Sequence, residues 1–202
     1  MKQTKIVTRL SVIDQIKTAL LKQGSVSSDF DLNPDIRLPR GRKLRQAAVL
    51  VPFLPNGDLI LTKRSSHLKH HPGQISFPGG KRDEGDISLE FTARREAQEE
   101  IGLTFDVVDV IGELPVHETV TSFIVSPTVG LVREPFIPVP EIGEVDEVFC
   151  IPFSHIADLS NYRIEGRRWQ GRLRYFYTVP FGPYYIWGAT ACILRGLADR
   201  LQ

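Results

Sequence analysis

Residues 77–103 read FPGGKRDEGDISLEFTARREAQEEIGL. A diglycine, Gly79–Gly80, leads into a run of helix formers that carries Glu90, Glu96, Glu99 and Glu100. Ser88 is a suitable N-cap and Gly102 a suitable stop, so a helix is expected from Ser88 to Ile101. Leu89, Ala93, Ala97 and Ile101 fall four residues apart and form its buried stripe. Glu96, Glu99 and Glu100 are three and four apart, and at about 100° per residue they share an arc of roughly 100° beside that stripe. Like charges at these spacings cost an isolated helix roughly 0.2–0.5 kcal/mol per pair. A hard divalent cation such as Mg²⁺, which bridges carboxylates to substrate phosphates, would offset the repulsion. Arg95 can neutralise and orient part of the cluster. The competing reading is a solvated acidic face. The turn Pro78-Gly79-Gly80, which lets backbone come close to a ligand, favours the cation.

Upstream of this stretch, Ser11 to Gly24 carries a capping-box-like start at Ser11 and Asp14 and an apolar stripe through Val12, Ile13, Ile16, Ala19 and Leu20, which predicts a helix. Residues 25–44 are polar and interrupted by Pro34, Pro39 and Gly41, as in a loop or arm. They lead into a basic cluster of Arg37, Arg40, Arg42, Lys43 and Arg45. Such a cluster is either a solvated face or a wall that attracts a phosphorylated substrate, and in the second case Arg40 and Arg42 are substrate-binding candidates. From Gln46 onward strands dominate. Ala47–Phe53 and Asp58–Lys63 flank the hairpin signal Pro55-Asn56-Gly57. Further strands are expected near 106–114, 123–132, 144–152 and 173–179. Helices are expected at 189–201 and, in a short form, after Pro152. Strands in the majority with helices at intervals predict an α+β fold with a mixed sheet rather than a doubly wound parallel one. The expected organisation is an N-terminal helix and basic arm over 1–45 and a single domain over 46–202.

The bulk properties narrow the classes. The chain has 202 residues, 42% hydrophobic and 24% charged, with a formal net charge of +1. That is an ordinary globular composition with no global pull toward nucleic acid or membrane. Two cysteines, Cys150 and Cys192, lack metal-type spacing and fit a reducing cytoplasm better than a disulfide framework. The basic start of the chain has no long apolar stretch behind it, so a signal peptide is not expected. His67, His70 and His71 read as polar contacts near a phosphate site rather than a zinc centre, and His117 and His155 as structural. Tyr175, Phe176 and Tyr177 read as core before adenine stacking, and Trp187 as packing.

The segment Arg95 to Leu103 resembles the second half of the Nudix hydrolase box, G-x5-E-x7-R-E-U-x-E-E-x-G-U with U apolar, at every specified position. The first half departs. Asp86 stands at the place of the first Glu, and eight residues rather than seven separate it from Arg95. The preceding Ile60-Leu61-Thr62-Lys63-Arg64-Ser65, Lys69, Gly73 and Phe77-Pro78-Gly79-Gly80 are similar to the signature of the coenzyme A pyrophosphatase branch. Lys69 stands where that signature has Arg. Residues 144–149 and 186–191 also resemble the branch, so the likeness covers roughly 46–201.

The resemblance implies a Nudix-type α/β/α sandwich. It implies metal-dependent hydrolysis, with Mg²⁺ or Mn²⁺, of the pyrophosphate of coenzyme A, giving 4′-phosphopantetheine and adenosine 3′,5′-bisphosphate. Glu99 and Glu100 are the first expected metal ligands and Glu96 the next. Arg95 is expected to hold a glutamate, and Glu144 to be an extra ligand or the base. Arg64 and Lys69, with Gly79 and Gly80, are expected at the substrate. Three alternatives stand beside this: another nucleoside diphosphate substrate (ADP-ribose, NADH or a dinucleoside polyphosphate), a silent nucleotide-binding domain, and, for assembly, a homodimer.

Overall fold

The structure is a computed structural model, and it describes residues 10–36, 38, 41–169 and 171–202. In chain order the elements are α1 (Val12–Leu21), β1 (Ser27–Ser28), β2 (Arg45–Phe53), β3 (Leu59–Arg64), β4 (Ile75–Ser76), β5 (Gly79–Lys81), α2 (Leu89–Ile101), β6 (Val108–Glu113), β7 (His117–Glu118), β8 (Phe123–Val132), β9 (Val145–Ile151), α3 (Phe153–Ala157), β10 (Arg163–Trp169), β11 (Arg172–Thr178) and α4 (Gly188–Leu201). Nine strands form one sheet along the path β1-β7-β8-β2-β3-β4, with β5 added to β2, β6 to β8 and β9 to β3. The pairs β2–β8 and β1–β7 are parallel and the others antiparallel, so the sheet is mixed, as expected. β10 and β11 form a separate hairpin.

β2 organises the layers. Its side chains alternate between two cores, Ala47 and Val51 into one and Ala48 and Leu50 into the other. A strand buried on both faces needs a near-continuous apolar run, and AAVLVPF supplies it. On one face α2 closes the core with Ala93, Ala97 and Ile101 against Ala48, Leu50 and Ile60. On the other, Ile16 and Ala19 of α1, Ile156 of α3 and Leu194 and Leu197 of α4 pack against Phe53, Leu59 and Leu61. The result is the expected α/β/α arrangement.

Local chemistry fixes the ends of α2. The Ser88 hydroxyl accepts from the Phe91 N–H at 3.0 Å. Gly102, at φ 74°, donates to Gln98 O while the Leu103 N–H reaches Ala97 O, a left-handed stop that a β-carbon would strain. α1 starts at its expected cap, with Ser11 Oγ accepting from Asp14 N.

β10 was not expected. Its segment carries three arginines and a glycine and is exposed along most of its length, so it has no buried face to signal a strand. The strands β1, β4, β5 and β7 escaped the sequence reading because two or three residues carry no periodicity.

Candidate active site

β5 carries the diglycine into the sheet edge beside α2. Gly79 and Gly80 pair with Val49 and Ala48 of β2. A β-carbon on Gly79 would lie 2.5 Å from Ala48 O, and one on Gly80 would lie 2.4 Å from the Glu96 carboxylate carbon. Close approach of backbone therefore requires glycine at position 79, while at position 80 a β-carbon would displace the Glu96 carboxylate.

Glu100 points back from α2 at this turn. Its Oε2 accepts from the Gly79 N–H at 3.1 Å, and its Oε1 lies 3.6 Å from Arg64 Nη1. Burial drives its pKa up to about 8. The Gly79 N–H and Arg64 resist that rise, and the charges of Glu96 and Glu144 add to it. Burial also raises the Glu96 carboxyl, against Arg95. Glu144 is exposed at the start of β9, and its carbonyl accepts from Ser65 N.

Arg95 ties the cluster together. It donates to Glu99 Oε2 at 2.8 Å and Glu96 Oε1 at 3.0 Å. It also makes a two-point contact with Asp86 at 3.0 and 3.1 Å and reaches Lys81 O at 3.3 Å. Asp86 is buried and further receives Thr92 Oγ1 at 2.8 Å and Asp83 N at 3.0 Å. The hydrogen bond from Arg95, chiefly, holds its carboxyl well below the usual carboxylate range, against burial. The residue at which the box motif departs is thus the anchor of the arginine, a role without any periodic signal.

Arg64 and Gly79 also line a cavity of about 340 Å³, together with Gln74, Arg174, Phe176 and Trp187. The Phe176 and Trp187 rings stand 5.2 Å apart and tilted. Asp31 and Asn33 of the N-terminal arm form part of its rim. Asn33 is buried, and its side chain bridges both backbone groups of Tyr175, accepting from N and donating to O, each at 2.8 Å. The arm is further pinned by buried His117, whose Nε2 meets Asp29 Oδ1 at 3.1 Å and whose Nδ1 meets Ser27 Oγ at 2.9 Å.

Two expected substrate residues are not among those that line the cavity. Lys69 is exposed and outside the cavity lining. Arg64 and Gln74 close the base of the loop that carries Lys69, with Arg64 N donating to Gln74 O and Gly73 N to Arg64 O. Arg42 is committed to Glu118 and lies over the Phe30 ring, so it braces the arm. Arg40 lies outside the described residues. His71, from the same loop as Lys69, does reach the cavity, and its φ of 55° is unusual for a non-glycine residue. Trp187 lines the cavity and is more than packing. Gln74 and Arg174 carried no sequence signal.

The donor set beside Gly79–Gly80 is all carboxylate oxygen, which suits a hard divalent ion. Among the described residues no three His, Cys, Asp or Glu side chains are gathered closely enough to hold a metal as they stand. Glu99 is turned onto Arg95. The oxygens of Glu96 and Glu100 nevertheless face one turn, and their raised pKa values mark them as carboxyls that gain from a cation. No helix among the described residues is long and apolar enough to cross a membrane.

Residues 43–169 match the NUDIX domain model. The chain is 41% identical over 159 residues to the uncharacterized Nudix hydrolase NudL of Enterobacter sp. (strain 638), and 42% identical over 159 residues to that of Cronobacter sakazakii. Each match covers 78% of this chain and 83% of the relative. Among solved structures, a MutT NUDIX hydrolase from Burkholderia pseudomallei aligns with 76% of this chain and 98% of its own at 18% identity and a TM-score of 0.48. With the domain model spanning more than half of its length, and these relatives matched over most of theirs, the chain belongs to the Nudix hydrolase family.

Proposed function

We propose that the protein hydrolyses the pyrophosphate of coenzyme A or its derivatives, giving 4′-phosphopantetheine and adenosine 3′,5′-bisphosphate. The observation that carries this reading is that Arg64 and Gly79 belong at once to the carboxylate cluster and to the aromatic-walled cavity. A diphosphate lying over Gly79 would put one flanking group of the substrate into that cavity. Its volume of about 340 Å³ suits part of such a molecule. The likeness of residues 60–80 to the coenzyme A branch selects the substrate within the family.

Nudix hydrolases generally use divalent metal ions. Glu96, Glu99 and Glu100 would hold Mg²⁺ or Mn²⁺, with Glu99 exchanging Arg95 for the cation. When bound, the ion supplies positive charge against the pyrophosphate oxygens and favours ionisation of water. The chain's own groups do the rest. Arg64 neutralises the diphosphate, and the Gly79–Gly80 backbone lets it approach. Arg95, fixed by Asp86, sets the orientation of Glu96. Glu144, exposed and near enough for its charge to act on Glu100, is the candidate to take the proton of the attacking water. Water adds to one phosphorus, the bridging P–O bond breaks, and two phosphomonoesters leave.

The test is a panel of coenzyme A, ADP-ribose, NADH and dinucleoside polyphosphates with each metal, with products identified by mass. Phosphopantetheine and the bisphosphate nucleotide in equal amounts are expected from coenzyme A. Free phosphate with dephospho-coenzyme A would overturn the bond assignment. Faster cleavage of another member of the panel would overturn the substrate.

A further inference from the structure

The cavity contains a cation without a countercharge among the described residues. Arg174 lines it from β11, two residues from Phe176 and so on the same face of the strand. Its Nε is buried and meets no hydrogen-bond partner among the described residues. Nor does its guanidinium form an ion pair among them. The acids nearby are engaged elsewhere. Asp29 is bound to His117 and to the Val120 N–H, and Asp31 Oδ2 accepts from Ser28 N.

A second observation points the same way. Arg174 stands directly opposite Arg167 in the hairpin register. Like charges facing each other across a strand pair are destabilising unless an anion intervenes. The two strands carry Arg163, Arg167, Arg168, Arg172 and Arg174 against a single acid, Glu165. Glu165 is already occupied, by the Thr178 hydroxyl at 3.1 Å and the Tyr185 hydroxyl at 2.6 Å. The backbone of Tyr175, next to Arg174, is fixed by Asn33, so the strand that carries the cation is held in place.

We infer that Arg174 is a specificity-determining residue that binds a second anionic group of the substrate, a phosphomonoester remote from the scissile pyrophosphate. In coenzyme A this is the ribose 3′-phosphate. The inference rests on the pyrophosphohydrolase reading above. It places the recognition of that phosphate on the β10–β11 hairpin. A guanidinium with a partly buried donor is suited to the task, because its fork makes paired contacts with phosphate that an ammonium cannot.

The experiment has a binding arm and a turnover arm. Adenosine 3′,5′-bisphosphate and adenosine 5′-monophosphate are titrated calorimetrically into the wild type, Arg174→Gln and Arg174→Lys. Wild type should bind the bisphosphate at least about tenfold more tightly, the scale of one charge-assisted contact. Arg174→Gln should abolish that preference, and Arg174→Lys should restore part of it. In turnover, the ratio of kcat/KM for coenzyme A over dephospho-coenzyme A should fall about tenfold in Arg174→Gln, through KM, with unchanged melting behaviour. Equal affinity of wild type for the two nucleotides, or a preference that survives Arg174→Gln, would overturn the inference. If wild type prefers the bisphosphate and Arg174→Gln loses that preference, but neither coenzyme is cleaved, the functional reading fails and the role of Arg174 stands.

Discussion

Replacing Asp86 by alanine removes a buried carboxylate that receives four hydrogen bonds, two from Arg95 and one each from Thr92 Oγ1 and Asp83 N. Breaking a buried ion pair by deleting one partner typically costs about 3–5 kcal/mol, because the other charge is left uncompensated. Here Arg95 keeps Glu96 and Glu99, and its side chain is 19% exposed, so the cost belongs at the low end, about 3 kcal/mol. For a chain of this size that lowers Tm by about 6–12 °C. The folded carboxyl titrates below its unfolded value, so its contribution is complete above about pH 4 and is lost as pH falls from there toward the folded pKa. The Tm difference between wild type and Asp86→Ala, measured by calorimetry from pH 3 to pH 8, should be constant above about pH 5 and shrink below about pH 4. Turnover should fall with it, since Arg95 would no longer fix Glu96. A Tm within about 2 °C of wild type at neutral pH, or a difference that grows on acidification, would refute the anchoring role.

Glu99→Gln and Glu100→Gln should each reduce kcat by about 10²-fold or more, while metal-free Glu100→Gln melts no lower than wild type above about pH 8, where the wild-type carboxyl is charged and buried; full turnover at saturating Mg²⁺ would exclude both as ligands. Gly80→Ala should reduce turnover by at least about tenfold, because its β-carbon would enter the space of the Glu96 carboxylate, and activity at the wild-type level would show that this contact is dispensable. For His117, burial pulls the pKa down but the bond to Asp29, with the influence of nearby Cys192, lifts it to about 9. The folded pKa exceeds the unfolded value near 6.5, so the stability that the protonated ring contributes is full below about pH 6.5 and is lost as pH rises through about 9. The stability gap between wild type and His117→Gln, from urea melts, should therefore narrow over that range, and a gap that widens with pH would contradict the assignment.

The sequence made some elements legible because their signal is local. α2 announces itself through Ser88, a stripe four residues apart and Gly102. β8 spans the expected 123–132 because both its faces are apolar enough to read as a strand. What stayed hidden depends on partners far away in the chain. Arg42 looked like a free cation because Glu118, its partner, is 76 residues distant. Asp86 looked like a broken motif position because a salt bridge to Arg95 has no period. Trp187 looked like packing because its partner, Phe176, lies in a different element. β10 could not be read at all, since a strand held mainly by its hairpin partner leaves no alternation in RIEGRRW. The carboxylates were legible as a cluster, but the aromatic compartment beside them was not.

The contacts that sew the N-terminal arm down also bear on how the chain acquires its shape. Ser27 meets His117 across 90 positions, and Asn33 meets Tyr175 across 142. Each closure must wait for a segment made much later, and contacts of such span come at the slow end of folding. As the chain emerges, the arm is synthesised early and secured late. Until β11 exists, Asn33 has no Tyr175 to hold, and the arm has only its ties to His117 and Val120 while much of the sheet can already form. The cavity wall is then the last part of the site to be finished. A chain released before Tyr175 is made would carry the diglycine turn and every carboxylate of the cluster and still lack the aromatic compartment beside them.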